Sequence, residues 1–405
     1  MTGAPETVEL RIDRPAQGGE FIARLGGRVV LVRGALPGET ARVRLADPAA
    51  KLLRGVAEEI LGASPHRREP GCPAAAAGAG CCDWDFIDPA HAAELKAAVV
   101  ADALRRIGRL PEAPAPAATA LAPATGWRTR TRLGVDAAGR AGLRRRRSRE
   151  LVTGVDCAQN APGLAVGLGA AGACPPGGEL HAVLDADGRR HLLHRAAPER
   201  GVRGRRRARR PAATVLEGAA RAPERVGDRV FEVPVDGFWQ AHRAAAAHYA
   251  ARVRDWLAPA PGEVAWDLYG GVGVFAAALA EGVGAAGRVL SVEAAAAAAP
   301  AGARALADLP VEFRTGLVED AIAGLPAPAA VVLDPPRTGA GAGTVAAIAA
   351  ARPGRVLHIG CDPATFARDL GAWAAAGYRV RRLEAVDAFP GTSHVEALAL
   401  LEPGD

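Results

Sequence analysis

A chain of 405 residues with 49% hydrophobic content can bury two or three cores, and no run of about eighteen apolar residues marks a membrane span. The net charge of +6 is concentrated in two arginine blocks, Arg144-Arg145-Arg146-Arg147-Ser148-Arg149 and Arg203-Gly204-Arg205-Arg206-Arg207-Ala208-Arg209-Arg210, which favours a polyanionic partner over a merely solvated basic face. The amino terminus lacks a basic-then-apolar leader, so a cytoplasmic protein without a membrane anchor is expected.

Residues 1–63 read as all β. Apolar alternation over residues 8–12, 27–32, 41–45 and 54–61, with turns at Gly26-Gly27 and Leu36-Pro37-Gly38, predicts four or five short strands. That many strands in so short a stretch form a small closed barrel of the OB type, a frequent nucleic-acid binder. Residues 64–91 are a Gly/Ala-rich loop holding Cys72, Cys81 and Cys82, with Cys157 far downstream. A cytosolic chain is not stapled by disulfides, so clustered thiols raise the question of a metal or iron–sulfur site. Their spacing argues against one. Adjacent Cys81 and Cys82 would have to aim both sulfurs at one centre, and zinc is normally held by two separated pairs. Unmetallated thiols are an equal reading.

Residues 92–110 carry the period of an amphipathic helix, with Leu95, Val99, Leu104 and Ile107 on one side. Lys96 in this helix and Lys51 are the only lysines in a chain rich in Ala, Gly, Pro and Arg, the mark of a coding bias. Residues 111–125 are Pro/Ala-rich and read as a linker. Residues 126–230 return to short strands and turns. Arg128, Arg130, Arg132 and both arginine blocks lie there, which predicts a basic, mostly-β domain gripping a phosphate backbone.

From residue 231 to 405 strand and helix alternate. Strands are predicted at 264–268, 288–293, 311–314, 330–334 and 355–359, and two more near 378–383 and 394–401 follow without a helix between them. The pattern is a Rossmann-like, doubly wound α/β sheet with an antiparallel hairpin edge. The turn Gly270-Gly271-Val272-Gly273 after one strand, and Glu293 at the end of the next, suit a nucleoside-type cofactor, NAD or S-adenosylmethionine. Asp334-Pro335-Pro336 at a strand end favours the second, as in methyltransferases that handle planar bases. In Gly360-Cys361-Asp362-Pro363 a strand passes into a helix that Asp362 can cap and Pro363 can open. Cys361 then sits at the helix's positive end, where a thiol's pKa is lowered towards that of a nucleophile. The bland alternative is a small buried hydrophobe. Glu396 lies within an apolar run, which argues that the acid is buried.

Five motifs occur in order: Phe238-Trp239-Gln240-Ala241-His242, Asp267-Leu268-Tyr269-Gly270-Gly271-Val272-Gly273, Asp334-Pro335-Pro336-Arg337-Thr338-Gly339, Gly360-Cys361-Asp362-Pro363-Ala364-Thr365 and Phe389-Pro390-Gly391-Thr392-Ser393-His394-Val395-Glu396. Together they resemble the RNA uracil-C5 methyltransferase family, which makes 5-methyluridine with S-adenosylmethionine. The amino-terminal barrel is similar to the TRAM domain of that family's ribosomal-RNA branch, so ribosomal RNA rather than transfer RNA is the implied partner, and a monomer the implied state. The resemblance implies Cys361 as nucleophile and Glu396 as general base, and Gln240, Tyr269, Glu293 and Asp334 as cofactor contacts. The family's iron–sulfur members space their cysteines by five and two residues with a distant fourth. Cys72, Cys81, Cys82 and Cys157 depart from that, so at best a labile iron–sulfur cluster is implied, with Cys72, Cys82 and Cys157 the better ligands. Gly270 stands where cysteine is usual, Val274 where Asn or Thr is frequent, and the acid expected near the adenine is replaced around Gly316. Two other readings share these motifs. An amino-group methyltransferase would use Asp334-Pro335-Pro336 without a thiol, and a catalytically impaired RNA-binding assembly factor would need neither.

Overall fold

Alternation of apolar and polar residues closes the first strands into a barrel in the computed structural model, which describes residues 6–197 and 212–404. Strands Thr7–Pro15, Phe21–Leu25, Arg28–Arg33, Thr40–Leu45 and Leu53–Gly62 form a closed five-stranded sheet. Every second residue points inward, so that Leu10, Ile12, Phe21, Ala23, Val30 and Val32 are buried. Trp84 and Ile87 from the cysteine loop join the same core.

The helix predicted at 92–110 runs as an α-helix, Pro89–Ala103, and continues through a π-helical turn, Leu104–Gly108. Asp88 caps it, its carboxylate accepting the Ala90 and His91 N–H groups. The one-sided apolar face expected there is not what forms. Leu95 packs into the barrel core, Ala97, Val100 and Leu104 pack into the core of the carboxyl-terminal sheet, and Ile107 is 46% exposed. The helix is wedged between two domains and is covered on both flanks. The segment expected to be a free linker, 111–125, contains the strand Ala117–Ala120, which pairs in parallel with Tyr378–Asp387. Its side chains are mostly exposed and carry no apolar signature; an open sheet edge recruited its backbone.

The central region is an antiparallel sheet in the order Ala213–Glu217, Arg190–Arg195, Glu179–Leu184, Arg130–Val135, Ala141–Arg144, Leu151–Thr153. The second arginine block, residues 203–210, lies outside the described residues. The expected domain boundary at residue 230 falls inside a hairpin, Arg221–Val226 with Arg229–Pro234. Phe231 and Val233 of that hairpin share a core with Tyr249, Leu257 and Val289, so the hairpin packs with the domain that follows it.

The carboxyl-terminal sheet has eight strands in the order Val311–Thr315, Arg288–Glu293, Val264–Leu268, Ala330–Leu333, Arg355–Gly360, Glu396–Pro403, Tyr378–Asp387, Ala117–Ala120. The first five are mutually parallel and Glu396–Pro403 runs antiparallel to its neighbours. Neighbouring residues along each strand face opposite cores: Ala265, Val289 and Val332 enter one, and Trp266, Leu290 and Val331 the other. That two-sided burial is why these strands read as continuous apolar runs. Among the described residues no helix is long and apolar enough to cross a membrane.

Candidate active site

Parallel strands share one carboxyl edge, and there the crevice of such a sheet opens. Tyr269, Glu293, Asp334 and Cys361 each follow or end one of four adjacent parallel strands and so gather along that edge. The antiparallel strand Glu396–Pro403 begins there. Gly360 lies opposite Ala397, so Cys361 and Glu396 emerge side by side from neighbouring strands.

Cys361 is half-buried, and its thiol is pushed up to about 11, first by burial and then by the charges of Glu396 and Asp334, with Arg337 opposing them. The sequence pointed to a lowered pKa, and the structure reverses it. Helix Pro363–Ala375 does start beside the thiol, but the Asp362 carboxylate caps it, accepting the Ala364 and Thr365 N–H groups at 3.0 Å each. The helix's positive end is therefore already occupied by an anion. Burial also pushes Asp334 up to about 7, and burial together with Asp334 holds Glu396 well above the usual carboxylate range. Three acidic groups, Cys361, Asp334 and Glu396, thus crowd one edge of the sheet, where burial and one another's charges disfavour their ionised forms.

The glycine turn is built from buried polar contacts. Asp267, fully buried and pushed up by burial to about 7, accepts the Ala276 N–H at 3.1 Å and the Ser291 hydroxyl at 3.2 Å. Its second oxygen, Oδ1, has no protein partner. A Cβ at Gly270 would stand 2.3 Å from Ser291 Oγ and 2.5 Å from Asp267 Oδ2, so any side chain here would displace these two buried groups. Tyr269 is held at φ 63, a left-handed conformation that costs a non-glycine residue and marks a constrained site. Glu293 is aimed by two N–H donors, Gly271 to Oε2 at 3.0 Å and Ala295 to Oε1 at 2.5 Å. Beside Gly316 the Cβ direction is open space. Gln240 is half-buried next to Trp239, whose ring shares a core with Val272 and Phe275 of the turn. This donor set, an aimed acid, a glycine turn and a buried orphan oxygen, fits a nucleoside-type cofactor. Asp267 was not singled out from the sequence, although an acid three residues before a glycine pair at a strand end was its visible signal.

The four cysteines converge. Cys72 Sγ lies 3.8 Å from both Cys81 Sγ and Cys157 Sγ, Cys82 Sγ lies 3.6 Å from Cys157 Sγ, and all four sulfurs fall within 4.8 Å of one another. The spacing of adjacent Cys81 and Cys82 argued against a shared centre and Cys81 was expected to be the poorer ligand, yet the chain bends here and the Cys81 sulfur lies in the same group as the other three. All four are free thiols. Separations near 3.8 Å match the edge of a tetrahedron around one ion with bonds of about 2.3 Å, so the donor set fits a thiolate-bound metal centre. Arg128 stacks over Trp127 at 4.5 Å and bonds Gln159 at 3.1 Å, within electrostatic reach of Cys157, Cys82 and Cys81. That corrects its expected role. Arg128 and Arg130 are sequestered, the latter on Glu224 and the carbonyls of Pro234 and Val235, and they do not offer themselves to a phosphate. Arg132, with 66% of its side chain exposed, faces solvent and pairs with Glu179 at 3.7 Å.

The cysteine loop carries the first arginine block. Ala79 pairs with Arg145, Gly80 N–H donates to the Arg144 carbonyl at 3.0 Å, and Arg145 reaches the Ala77 carbonyl at 3.2 Å. Arg146 reaches the Gly18 carbonyl of the barrel at 3.3 Å, and Gln17 of the same barrel loop donates to Asp362, beside Cys361, at 2.7 Å. Basic hairpin, barrel loop and nucleophile candidate thus meet at one rim.

Residues 5–57 match the TRAM domain family, and residues 327–403 match the family described as tRNA (Uracil-5-)-methyltransferase. The chain is similar to an uncharacterized RNA methyltransferase of Corynebacterium efficiens, 47% identical over 98% of this chain and 94% of the relative. It is also similar to the 23S rRNA (uracil(1939)-C(5))-methyltransferase RlmD of Pseudomonas aeruginosa, 31% identical over 98% and 94%. Among solved structures, the tRNA (uracil-54, C5)-methyltransferase of Pyrococcus abyssi in complex with S-adenosyl-L-homocysteine shares the fold at a TM-score of 0.70, covering 97% of this chain and 99% of that one at 19% identity.

Proposed function

The chain belongs to the S-adenosylmethionine-dependent RNA uracil-C5 methyltransferase family, and from that premise we propose that it methylates C5 of a uridine in ribosomal RNA through a covalent bond between Cys361 and uracil C6. The observation that carries the reading is the pairing of one thiol and one buried carboxyl at the mouth of adjacent strands. Uracil C5 is too weak a nucleophile to take a methyl group unaided. Addition of the Cys361 thiolate to C6 turns the ring into an enolate whose C5 attacks, dividing one hard step into easier ones. Bound S-adenosylmethionine supplies the electrophilic methyl group and, through its sulfonium, a positive charge. Gln240, Tyr269, Glu293 and Asp334 would hold that cofactor, with Glu293 suited to the ribose hydroxyls. Held by Asp334, the cofactor's positive charge would favour the ionised forms of Cys361 and Glu396, which burial and neighbouring charge disfavour. Glu396 then takes the C5 proton, the C6–S bond breaks and Cys361 leaves. A stacked uracil is out of reach of both groups, so the target is flipped out or lies in a loop.

Cys72, Cys81, Cys82 and Cys157 would hold a single zinc or iron ion, which their separations fit better than an iron–sulfur cluster, and which would cross-link the cysteine loop to the central domain and take no part in the chemistry. The ribosomal assignment is supported by the TRAM-type barrel and by the activity named for the Pseudomonas relative.

The test uses two variants that act at opposite ends of the reaction. Cys361→Ala should bind RNA and cofactor and form no covalent product. Glu396→Gln should add the thiolate, accept a radiolabelled methyl group and stall as a protein–RNA adduct that survives a denaturing gel. A fully active Cys361→Ser enzyme would sink the covalent route and favour amino-group methylation. Mapping 5-methyluridine in total RNA from a deletion strain identifies the target, and unchanged ribosomal RNA would refute that assignment.

A further inference from the structure

Among fifty lysine and arginine residues only Lys51 and Lys96 are lysines. Lys51 is exposed, whereas Lys96 is 1% exposed, the most deeply buried cation in the barrel–catalytic junction. A chain that otherwise writes its positive charge as arginine keeps an ammonium at this point. The geometry gives a reason. Lys96 Nζ meets two acceptors, Asp387 Oδ1 at 2.5 Å and the Phe389 carbonyl at 3.2 Å. A guanidinium brings five donors in a planar fork; besides these two acceptors the closed pocket offers it only the unpartnered Asp387 Oδ2, so at least two donors would stay unpaired.

The pair does not explain itself as a source of stability. Removing two charges from water costs several kcal/mol per ion, and apolar residues of equal size commonly serve a core as well or better. What it supplies is a fixed geometry at one place. Asp387 Oδ1 also accepts the Phe389 N–H at 3.1 Å, so the ammonium and the carboxylate together clamp both polar groups of Phe389. Asp387 ends its strand next to Val386, and Val386 lies opposite Glu396. The clamp therefore sits at the neck of the loop 388–395 whose far end delivers Glu396. The rest of that loop is gripped from outside the catalytic domain as well. Asp83 accepts the Ser393 N–H and hydroxyl at 2.9 Å each, Trp84 N–H donates to the Gly391 carbonyl at 3.0 Å, and Trp127 Nε1 donates to the Pro390 carbonyl at 3.2 Å.

We propose that Lys96 is a positioning residue for the general base: acting through Asp387 and Phe389, it fixes the loop so that the Glu396 carboxyl stands at the C5 proton of the Cys361-bound uracil. The inference rests on the proposed roles of Cys361 and Glu396. A base displaced by about 1 Å loses on the order of a hundredfold in rate. Lys96 matters only after methyl transfer, so its loss should slow release of the product and leave the earlier steps in place.

The test compares wild type, Glu396→Gln, Lys96→Met and the double variant Lys96→Met/Asp387→Leu, all as full-length protein with a uridine-containing RNA and radiolabelled S-adenosylmethionine. Lys96→Met leaves Asp387 buried without its partner and should be less stable. The double variant removes both charges and should recover thermal stability while turning over at least about tenfold more slowly than wild type. In both, the methylated protein–RNA adduct should accumulate, with S-adenosylmethionine affinity unchanged by calorimetry. If Lys96→Met cannot be recovered folded, the double variant decides alone. A double variant that is stable and turns over at the wild-type rate without adduct means that the pair is merely structural and overturns the proposal, while an adduct in Glu396→Gln leaves the covalent mechanism standing. If Glu396→Gln itself turns over normally without adduct, the base is another residue and this proposal falls with that assignment.

Discussion

Cys361 shows how far one residue's chemistry depends on neighbours that are distant in sequence. Its thiol sits at about 11 because burial, Glu396 and Asp334 oppose ionisation more than Arg337 assists it. The thiolate fraction should therefore climb about tenfold per pH unit between pH 7 and that value. A bound cation beside Asp334 should move the profile to lower pH. Peptide-resolved alkylation of Cys361 should accordingly quicken with S-adenosylmethionine and much less with S-adenosylhomocysteine, which lacks the sulfonium. Equal effects of the two would show that the charge is not what activates the thiol. Glu384 is the opposite case. Burial pushes this carboxyl up, but His248 at 3.2 Å and the hydrogen bonds from Arg252 and Thr119 outweigh it and hold it down at about 2. A depressed folded pKa means stability that is present above the unfolded value near 4.5 and lost as pH falls towards 2. Glu384→Gln should thus cost at most about 3 kcal/mol in urea unfolding at pH 7, and the difference should shrink by pH 3.

At the scale of elements, what the sequence disclosed depended on whether a signal was local. The strand-to-helix turn at Cys361 was legible because Asp362 and Pro363 are capping residues read within four positions. The glycine turn was legible for the same reason. The strand Ala117–Ala120 was not, since its pairing is a property of the sheet edge it meets and its own residues are mostly exposed. The convergence of Cys81 and Cys82 was also hidden, because it depends on Cys157, 75 residues beyond Cys82. The same limit applies to Arg128 and Arg130, which look like phosphate ligands in sequence and prove to be interior. Arg132 stays outward, and so do Arg144, Arg147 and Arg149 of the first block, where Arg147 turns the hairpin at φ 53. Replacing Arg144, Arg147 and Arg149 by Gln should lower the slope of log affinity for RNA against log salt by about 2 to 3, with cofactor affinity unchanged. An unaltered slope would remove the hairpin from the RNA-binding surface.

For the molecule as a whole, the cysteine centre and the loop 388–395 are one mechanical unit. Cys82 is followed directly by Asp83 and Trp84, which hold Ser393 and Gly391, and Gln159, two residues after Cys157, donates to the Cys81 carbonyl at 3.3 Å. If the four thiols hold the metal proposed for them, stripping it with a strong chelator, or replacing Cys82 and Cys157 by Ser, should speed amide hydrogen exchange in the loop and in the arginine hairpin while S-adenosylmethionine still binds. Exchange confined to residues 64–91 would show that the centre stabilises its own loop only. Elemental analysis of the anaerobically purified protein decides between iron and zinc, and finding neither would leave four bare thiols.

The edge strand Ala117–Ala120 has a consequence for how the protein is made. Thr119 bonds Glu384, 265 positions further along the chain, and the apolar flank of helix Pro89–Ala103 is covered by residues such as Trp373 and Tyr378. A ribosome adding about 5 to 20 residues per second needs roughly 15 to 55 seconds to supply those partners. Through that interval the nascent barrel can close, but the helix beside it displays a greasy stripe with nothing to cover it. The enzyme is thus born with its first half waiting for its last strand, and truncated or stalled chains should be clients of holding chaperones and proteases rather than partly active fragments.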